Sequence, residues 1–132
     1  MRDSRNSKND AVESHVRDIS GYGFLEQIKE GENMIRGTTP TLKFTLPFDV
    51  EQLTTAWLTF SQNNQVVINK TLSDCTYSGK VITLVLTQTD TLALDSKYRV
   101  EIQIRGKTTD GKAIASAVFT DSVDRILKDG EI

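Results

Sequence analysis

Chemistry in this chain of 132 residues would have to come from few parts, because it holds one histidine, His15, and one cysteine, Cys75. A Ser-His-Asp or Cys-His arrangement needs nucleophile, base and orienting group within hydrogen-bond reach. His15 lies in the N-terminal stretch, so either arrangement requires that stretch to fold back over everything that follows. Cys75, alone at the start of a strand-like run, reads more simply as a small apolar residue than as a nucleophile. No catalytic residue is assigned, and the chain is expected not to be an enzyme.

Metal chemistry fares no better. Asp121, Asp124 and Asp129 are candidate calcium oxygens, since calcium sites are built from clustered carboxylates and carbonyls. Their spacing does not match an EF-hand loop, and Arg125 and Lys128 offset their charge, so a solvated C-terminal face is the simpler reading. A single cysteine excludes a cysteine-based zinc cluster and an intrachain disulfide, and fits synthesis in a reducing compartment. No metal and no cofactor are assigned. Asn69-Lys70-Thr71 has the form of a glycosylation sequon, which matters only on a chain secreted from a eukaryotic cell.

Aromatic residues offer a different kind of site. Trp57, Tyr77, Tyr98 and Phe48 could form a platform on which a sugar stacks. Aromatics on strands usually belong to a core, and Phe44, Phe60, Tyr98 and Phe119 are assigned there. Trp57 stands apart because it alternates with Ala56, Leu58 and Phe60 and so points away from them. It faces either a second packed layer or a binding surface.

The elements that hold these residues are read from period-two alternation, the mark of strands with one buried face. Residues 41–46 put Leu42, Phe44 and Leu46 on one side, and Pro47 then ends the pairing or marks an edge. Residues 55–61 and 65–71 form a hairpin across Gln62-Asn63-Asn64, because asparagine tolerates the positive φ of tight turns. Residues 75–77 and 81–87 form a second hairpin around Ser78-Gly79-Lys80, with Ile82, Leu84 and Leu86 inward. The run 89–94 does not alternate and suits one helical turn, capped by Asp90 or a threonine, that tucks Leu92 and Leu94 under the sheets. Residues 98–105 place Tyr98, Val100, Ile102 and Ile104 inward and Arg99, Glu101, Gln103 and Arg105 outward. Asp110-Gly111 is the dipeptide favoured by a type I′ turn, returning the chain as a strand over 113–120. The result is an all-β, immunoglobulin-like antiparallel sandwich of about seven strands, occupying 34–132.

Residues 1–33 differ in character, with five basic and seven acidic side chains and only a thin apolar pattern. Val12, Val16 and Ile19 recur at near-helical spacing, so a short amphipathic helix over about 9–19 is expected there, marginal when isolated, and otherwise disorder. Lys29-Glu30-Gly31 can be encoded by a purine-rich ribosome-binding sequence just upstream of the Met34 codon, so translation is expected to start at Met34. An intact mass matching all 132 residues would remove that expectation.

Composition excludes several classes. Apolar residues at 37% and charged residues at 26% describe a chain that folds without staples. A net charge of −2 provides no global field toward nucleic acid or an anionic membrane, so neither is an expected partner. No apolar run approaches the roughly 18 residues of a membrane span, and the N-terminus lacks the apolar core of a secretory signal.

Several motifs together carry a resemblance. Met34-Ile35-Arg36-Gly37-Thr38-Thr39-Pro40-Thr41 opens the domain, followed by Phe44 and Leu46. Ile82-Thr83-Leu84-Val85 leads into a Leu-Thr-x-x-x-Thr-x-x-Leu turn at 86–94, then the strand Tyr98 to Ile104, the Asp110-Gly111-Lys112 turn, Ser122-Val123 and Arg125-Ile126-Leu127-Lys128-Asp129-Gly130. In these features residues 34–132 resemble small immunoglobulin-like structural proteins of tailed phages and prophages, similar to the N-terminal domain of baseplate upper proteins. The first 33 residues have no place in that pattern, and residues 34–132 match it only over the domain itself, without the long C-terminal extension expected to carry receptor-binding parts.

The resemblance implies a virion structural protein of tail or baseplate, made in the bacterial cytoplasm, acting through contacts with other virion proteins and with copies of itself. Trp57, Tyr77, Arg99, Glu101, Gln103, Arg105, Ile126 and Leu127 are the candidate contact residues. The N-terminal arm is expected to order on contact with a partner. Two rivals are a carbohydrate-binding module, using Trp57 or Tyr77, and a small inhibitor of a host protein.

Overall fold

Alternating side chains place this chain on two stacked sheets. The computed structural model describes residues 34–132 together with the strands Val16–Ser20 (β1) and Gln27–Ile28 (β2). Then follow β3 (Met34–Ile35), β4 (Thr41–Thr45), β5 (Leu53–Gln62), β6 (Gln65–Thr71), β7 (Thr76–Ser78), β8 (Val81–Val85), α1 (Gln88–Leu92), β9 (Val100–Thr108), β10 (Ala113–Ala115), β11 (Phe119–Asp121) and β12 (Val123–Asp124).

One sheet runs β6–β5–β9, with β10 and β11 both pairing the far side of β9. The other runs β2–β1–β4–β8–β7. From β4 the chain crosses to the first sheet for β5 and β6, returns for β7 and β8, and crosses again for β9 to β11. That order is the immunoglobulin-like arrangement expected from the sequence. A separate parallel pair, β3 with β12, sets Val123 beside Met34.

Inward side chains meet between the sheets. Leu42, Phe44, Ile82 and Leu84 from one side and Ala56, Leu58, Phe60, Val100, Ile102 and Ile104 from the other are each 1% exposed or less. Fully burying one large apolar side chain stabilises the fold by about 1.5–3 kcal/mol relative to exposure, so this layer is the main source of stability.

The turns explain the pairings. Asn63 and Asn64 take φ of 51° and 63°, the two positive values a type I′ hairpin requires, and join β5 to β6. The Asp110-Gly111 turn also forms, but not as type I′. Gly111 has φ 91° whereas Asp110 is not in the positive region, and Gly111 N donates to the Thr108 carbonyl at 2.9 Å in a longer loop. Pro47 follows the end of β4, as expected.

Three expectations are corrected. The strand over 113–120 is broken into β10 and β11, because Ser116 interrupts the ladder: Ile104 N donates to the Ser116 hydroxyl at 3.0 Å. The register shifts by one residue across the break, from Arg105 opposite Ala115 to Ile102 opposite Phe119. Tyr98 is 42% exposed and precedes β9, since its amide closes a turn onto the Asp95 carbonyl. Val16–Ser20, which overlaps the end of the stretch expected to be helical, is strand β1, parallel to β4 with Ile19 opposite Phe44. An open edge at β4 supplies backbone partners that a short isolated helix cannot match. The remainder of that stretch, His15 included, lies outside the described residues.

Candidate interaction face

Much of the polar chemistry in 34–132 is committed to the fold. In the turn at 86–94, Leu86 and Leu94 are buried, and Thr87 is the N-cap of α1. Its hydroxyl accepts from Asp90 N at 3.0 Å while its amide donates to Asp90 Oδ2 at 2.9 Å, a capping box that satisfies two free donors. Thr91 is fully buried, and its hydroxyl donates to the Thr38 carbonyl at 2.8 Å. Arg36 closes the other end, with Nε donating to the Leu94 carbonyl at 2.8 Å and Nη2 to that of Leu92 at 2.9 Å. The Leu-Thr-x-x-x-Thr-x-x-Leu motif is thus a device that plugs the sandwich between β8 and β9.

Gln62, read from sequence only as part of a turn, proves to be a buried staple. Its amide nitrogen donates to the carbonyls of Asp95 at 2.7 Å and Tyr98 at 3.0 Å, and its oxygen accepts from Asp95 N at 2.8 Å. Lys70 lies opposite Leu58, on the inner side of β6, and its charge meets Asp90 at 3.1 Å. Burial raises the Asp90 carboxyl, but the Thr87 amide, Lys70 and the Thr87 hydroxyl outweigh it and hold the group below its ordinary value. At Asp74 the Thr71 amide does the same, against a smaller effect of burial.

Cys75 is half-buried, with Sγ 3.5 Å from the Thr71 carbonyl. Burial, reinforced by the Asp74 charge, pushes its thiol up to about 11, so it is protonated at neutral pH. The three C-terminal aspartates do not converge: Asp121 is buried and accepts from Ser122 N at 2.9 Å, whereas Asp129 meets Arg36 at 3.4 Å. Among the described residues no group of three His, Cys, Asp or Glu side chains is placed to hold a metal ion, and no helix is long and apolar enough to cross a membrane.

One surface gathers four of the eight expected contact residues. Trp57 points out of the β6–β5–β9 sheet and is 45% exposed, which decides between a second core layer and an open face. Arg105 is its direct partner on β9 and Thr71 its partner on β6, with Ala115 beyond Arg105. One row along stand Gln103, Thr59 and Asn69, the Thr59 hydroxyl donating to Asn69 Oδ1 at 2.7 Å. Beyond them lie Thr120, Glu101, Ser61 and Val66, the last 63% exposed. Val66 was not singled out from sequence, because only the irregular register between Phe60 and Ser61 turns it outward.

The other expected contact residues are scattered. Arg99 precedes β9 and reaches Thr120 Oγ1 at 3.3 Å, at the margin of the same face. Tyr77 is 46% exposed but belongs to edge strand β7 of the opposite sheet, so it shares no platform with Trp57. Ile126 is half-buried, its terminal methyl 2.9 Å from where a Cβ on Gly37 would stand, while neighbouring Leu127 is 90% exposed. The chain matches no protein-family model and none of the curated proteins compared with it.

Proposed function

We propose that this chain is a non-enzymatic assembly module of a bacteriophage virion, of tail or baseplate, that works through protein–protein contacts made by its outer faces. One observation carries the reading. The motif residues that prompted the phage resemblance, Leu86, Thr87, Thr91 and Leu94, are spent on closing the sandwich, while Trp57, Glu101 and Arg105 lie open on one sheet face. Such a division suits a scaffold whose surfaces meet neighbouring subunits. The described strands supply an open sheet with exposed aromatic and charged side chains, the residue types that anchor interfaces.

Mass spectrometry of particles purified from an induced culture of cells that carry the gene tests the proposal. The chain is expected in the particles at a fixed ratio to the other virion proteins. Its recovery only in the soluble cell fraction would overturn the reading.

A second reading, a carbohydrate-binding module, is favoured by one feature, the exposed Trp57 indole with Asn69, Thr71 and Arg105 around it. Stacking of a sugar on an indole needs such an arrangement. A glycan array with the wild type and Trp57→Ala separates the two: a signal lost in the variant supports sugar binding, and no signal supports assembly.

A further inference from the structure

We propose that the outer face of the β6–β5–β9 sheet docks on the same face of a second copy, about a two-fold axis that runs across the strands through the row Gln103, Thr59 and Asn69. Three rows of outward side chains define that face. Ala115, Arg105, Trp57 and Thr71 form the first, Gln103, Thr59 and Asn69 the middle, and Thr120, Glu101, Ser61 and Val66 the third.

Turning one copy over about the middle row lays its first row on the partner's third. Arg105 then meets Glu101, and Trp57 meets Ser61 with Val66 beside it. Each match occurs twice, as a self-complementary interface requires. The charges are opposite in both places. The indole meets a small residue that leaves room for it, and an exposed valine that shields it from water. Gln103 meets Gln103; its Nε2 already donates one hydrogen to the Ser116 carbonyl at 2.9 Å, which leaves the second hydrogen and the amide oxygen for that pairing. Arg99 and Lys107 would also face each other, but at the ends of the overlap, where water and salt screen like charges. Sheets packed face to face keep their strands within about 30° of alignment, so their twist draws the ends apart and concentrates contact on β5 and β9.

Size sets the expected strength. Four strands about 4.8 Å apart and three rows about 6.8 Å apart give a contact some 14 Å square, small beside the roughly 800 Å² that each partner buries in a stable complex. The dimer is therefore weak, with dissociation in the micromolar range or above. The inference deepens the assembly reading by naming a partner, and it is tested on purified protein, so its failure would leave the presence of the chain in particles untouched.

Sedimentation velocity of the full chain, from a few micromolar to about one millimolar, tests it. The wild type is expected to shift from monomer toward dimer with concentration, and Trp57→Ala to weaken association at least tenfold. Glu101→Arg is expected to abolish it and Glu101→Arg with Arg105→Glu to restore it to within about threefold of wild type. All three positions, Trp57, Glu101 and Arg105, are exposed, so circular dichroism should show the variants folded. A wild type that stays monomeric throughout overturns the proposal. So does a dimer indifferent to Trp57→Ala, or a double variant no better than the single one.

Discussion

Lys70 Nζ lies 3.1 Å from Asp90 Oδ2, joining the inner side of β6 to the only α-helical turn among the described residues. Each side chain is mostly covered, at 24% and 16% exposure, so the pair is less screened than a surface ion pair. Asp90 also completes the capping box on Thr87, and one carboxylate therefore secures both the cap and the cross-link.

That double role gives a pH signature. The folded Asp90 carboxyl lies below its ordinary value, so its contribution is complete above the unfolded value, near pH 4, and disappears as pH falls through the folded one. Asp90→Asn is expected to cost about 1 kcal/mol at pH 7. The gap between wild type and variant should close below about pH 4. Urea denaturation at a series of pH values measures it, and a gap independent of pH would contradict the role assigned to the charge.

Gln62 gives a sharper loss. Gln62→Leu fills similar space but leaves Asp95 N and the carbonyls of Asp95 and Tyr98 without that partner. An unsatisfied buried group costs about 1–3 kcal/mol, so the variant should unfold at clearly lower denaturant concentration. A midpoint unchanged from wild type would refute the staple.

Gly106 is held by close approach. A Cβ there would sit 3.1 Å from the Thr55 carbonyl oxygen and 3.2 Å from Leu53 Cδ2, where β9 crosses β5 next to a register shift. Gly106→Ala is expected to destabilise by about 1–3 kcal/mol, as overpacking does. Gly111→Ala, with open space around it but φ 91°, should cost about 1–2 kcal/mol through backbone strain alone. Thermal denaturation of both variants checks the two causes.

Cys75 should be slow to react. Moving its thiol from an ordinary 9.0 to about 11 lowers the thiolate fraction at neutral pH roughly 100-fold. Native protein is expected to react with a thiol-specific disulfide reagent at pH 7.5 far more slowly than protein in urea. Equal rates would show an accessible, ionised sulfur.

Much of the fold was legible because alternation and turn residues act locally. Leu42 to Leu46, Ala56 to Phe60 and Val100 to Ile104 face inward as their spacing requires, and Asn63-Asn64 forms its turn. The illegible parts depend on distant partners. Ser116 breaks a strand by bonding Ile104, Tyr98 turns outward because its amide is engaged, and β1 exists by pairing with β4. The same holds for the candidate face. Trp57 and the outward residues of β9 could be read from alternation, whereas Val66 depends on an irregular register. Tyr77 appeared equivalent to Trp57 until the topology put it on the other sheet.

The claim on which the account rests is that buried groups build the scaffold and the open face around Trp57 makes its contacts. Hydroxyl-radical footprinting of the chain, free in solution and within purified particles, tests it most directly. Trp57 and Val66 are expected to be oxidised readily in the free chain and protected in the particle, with Phe60 and Ile102 protected in both. Equal oxidation of Trp57 in the two states would contradict it.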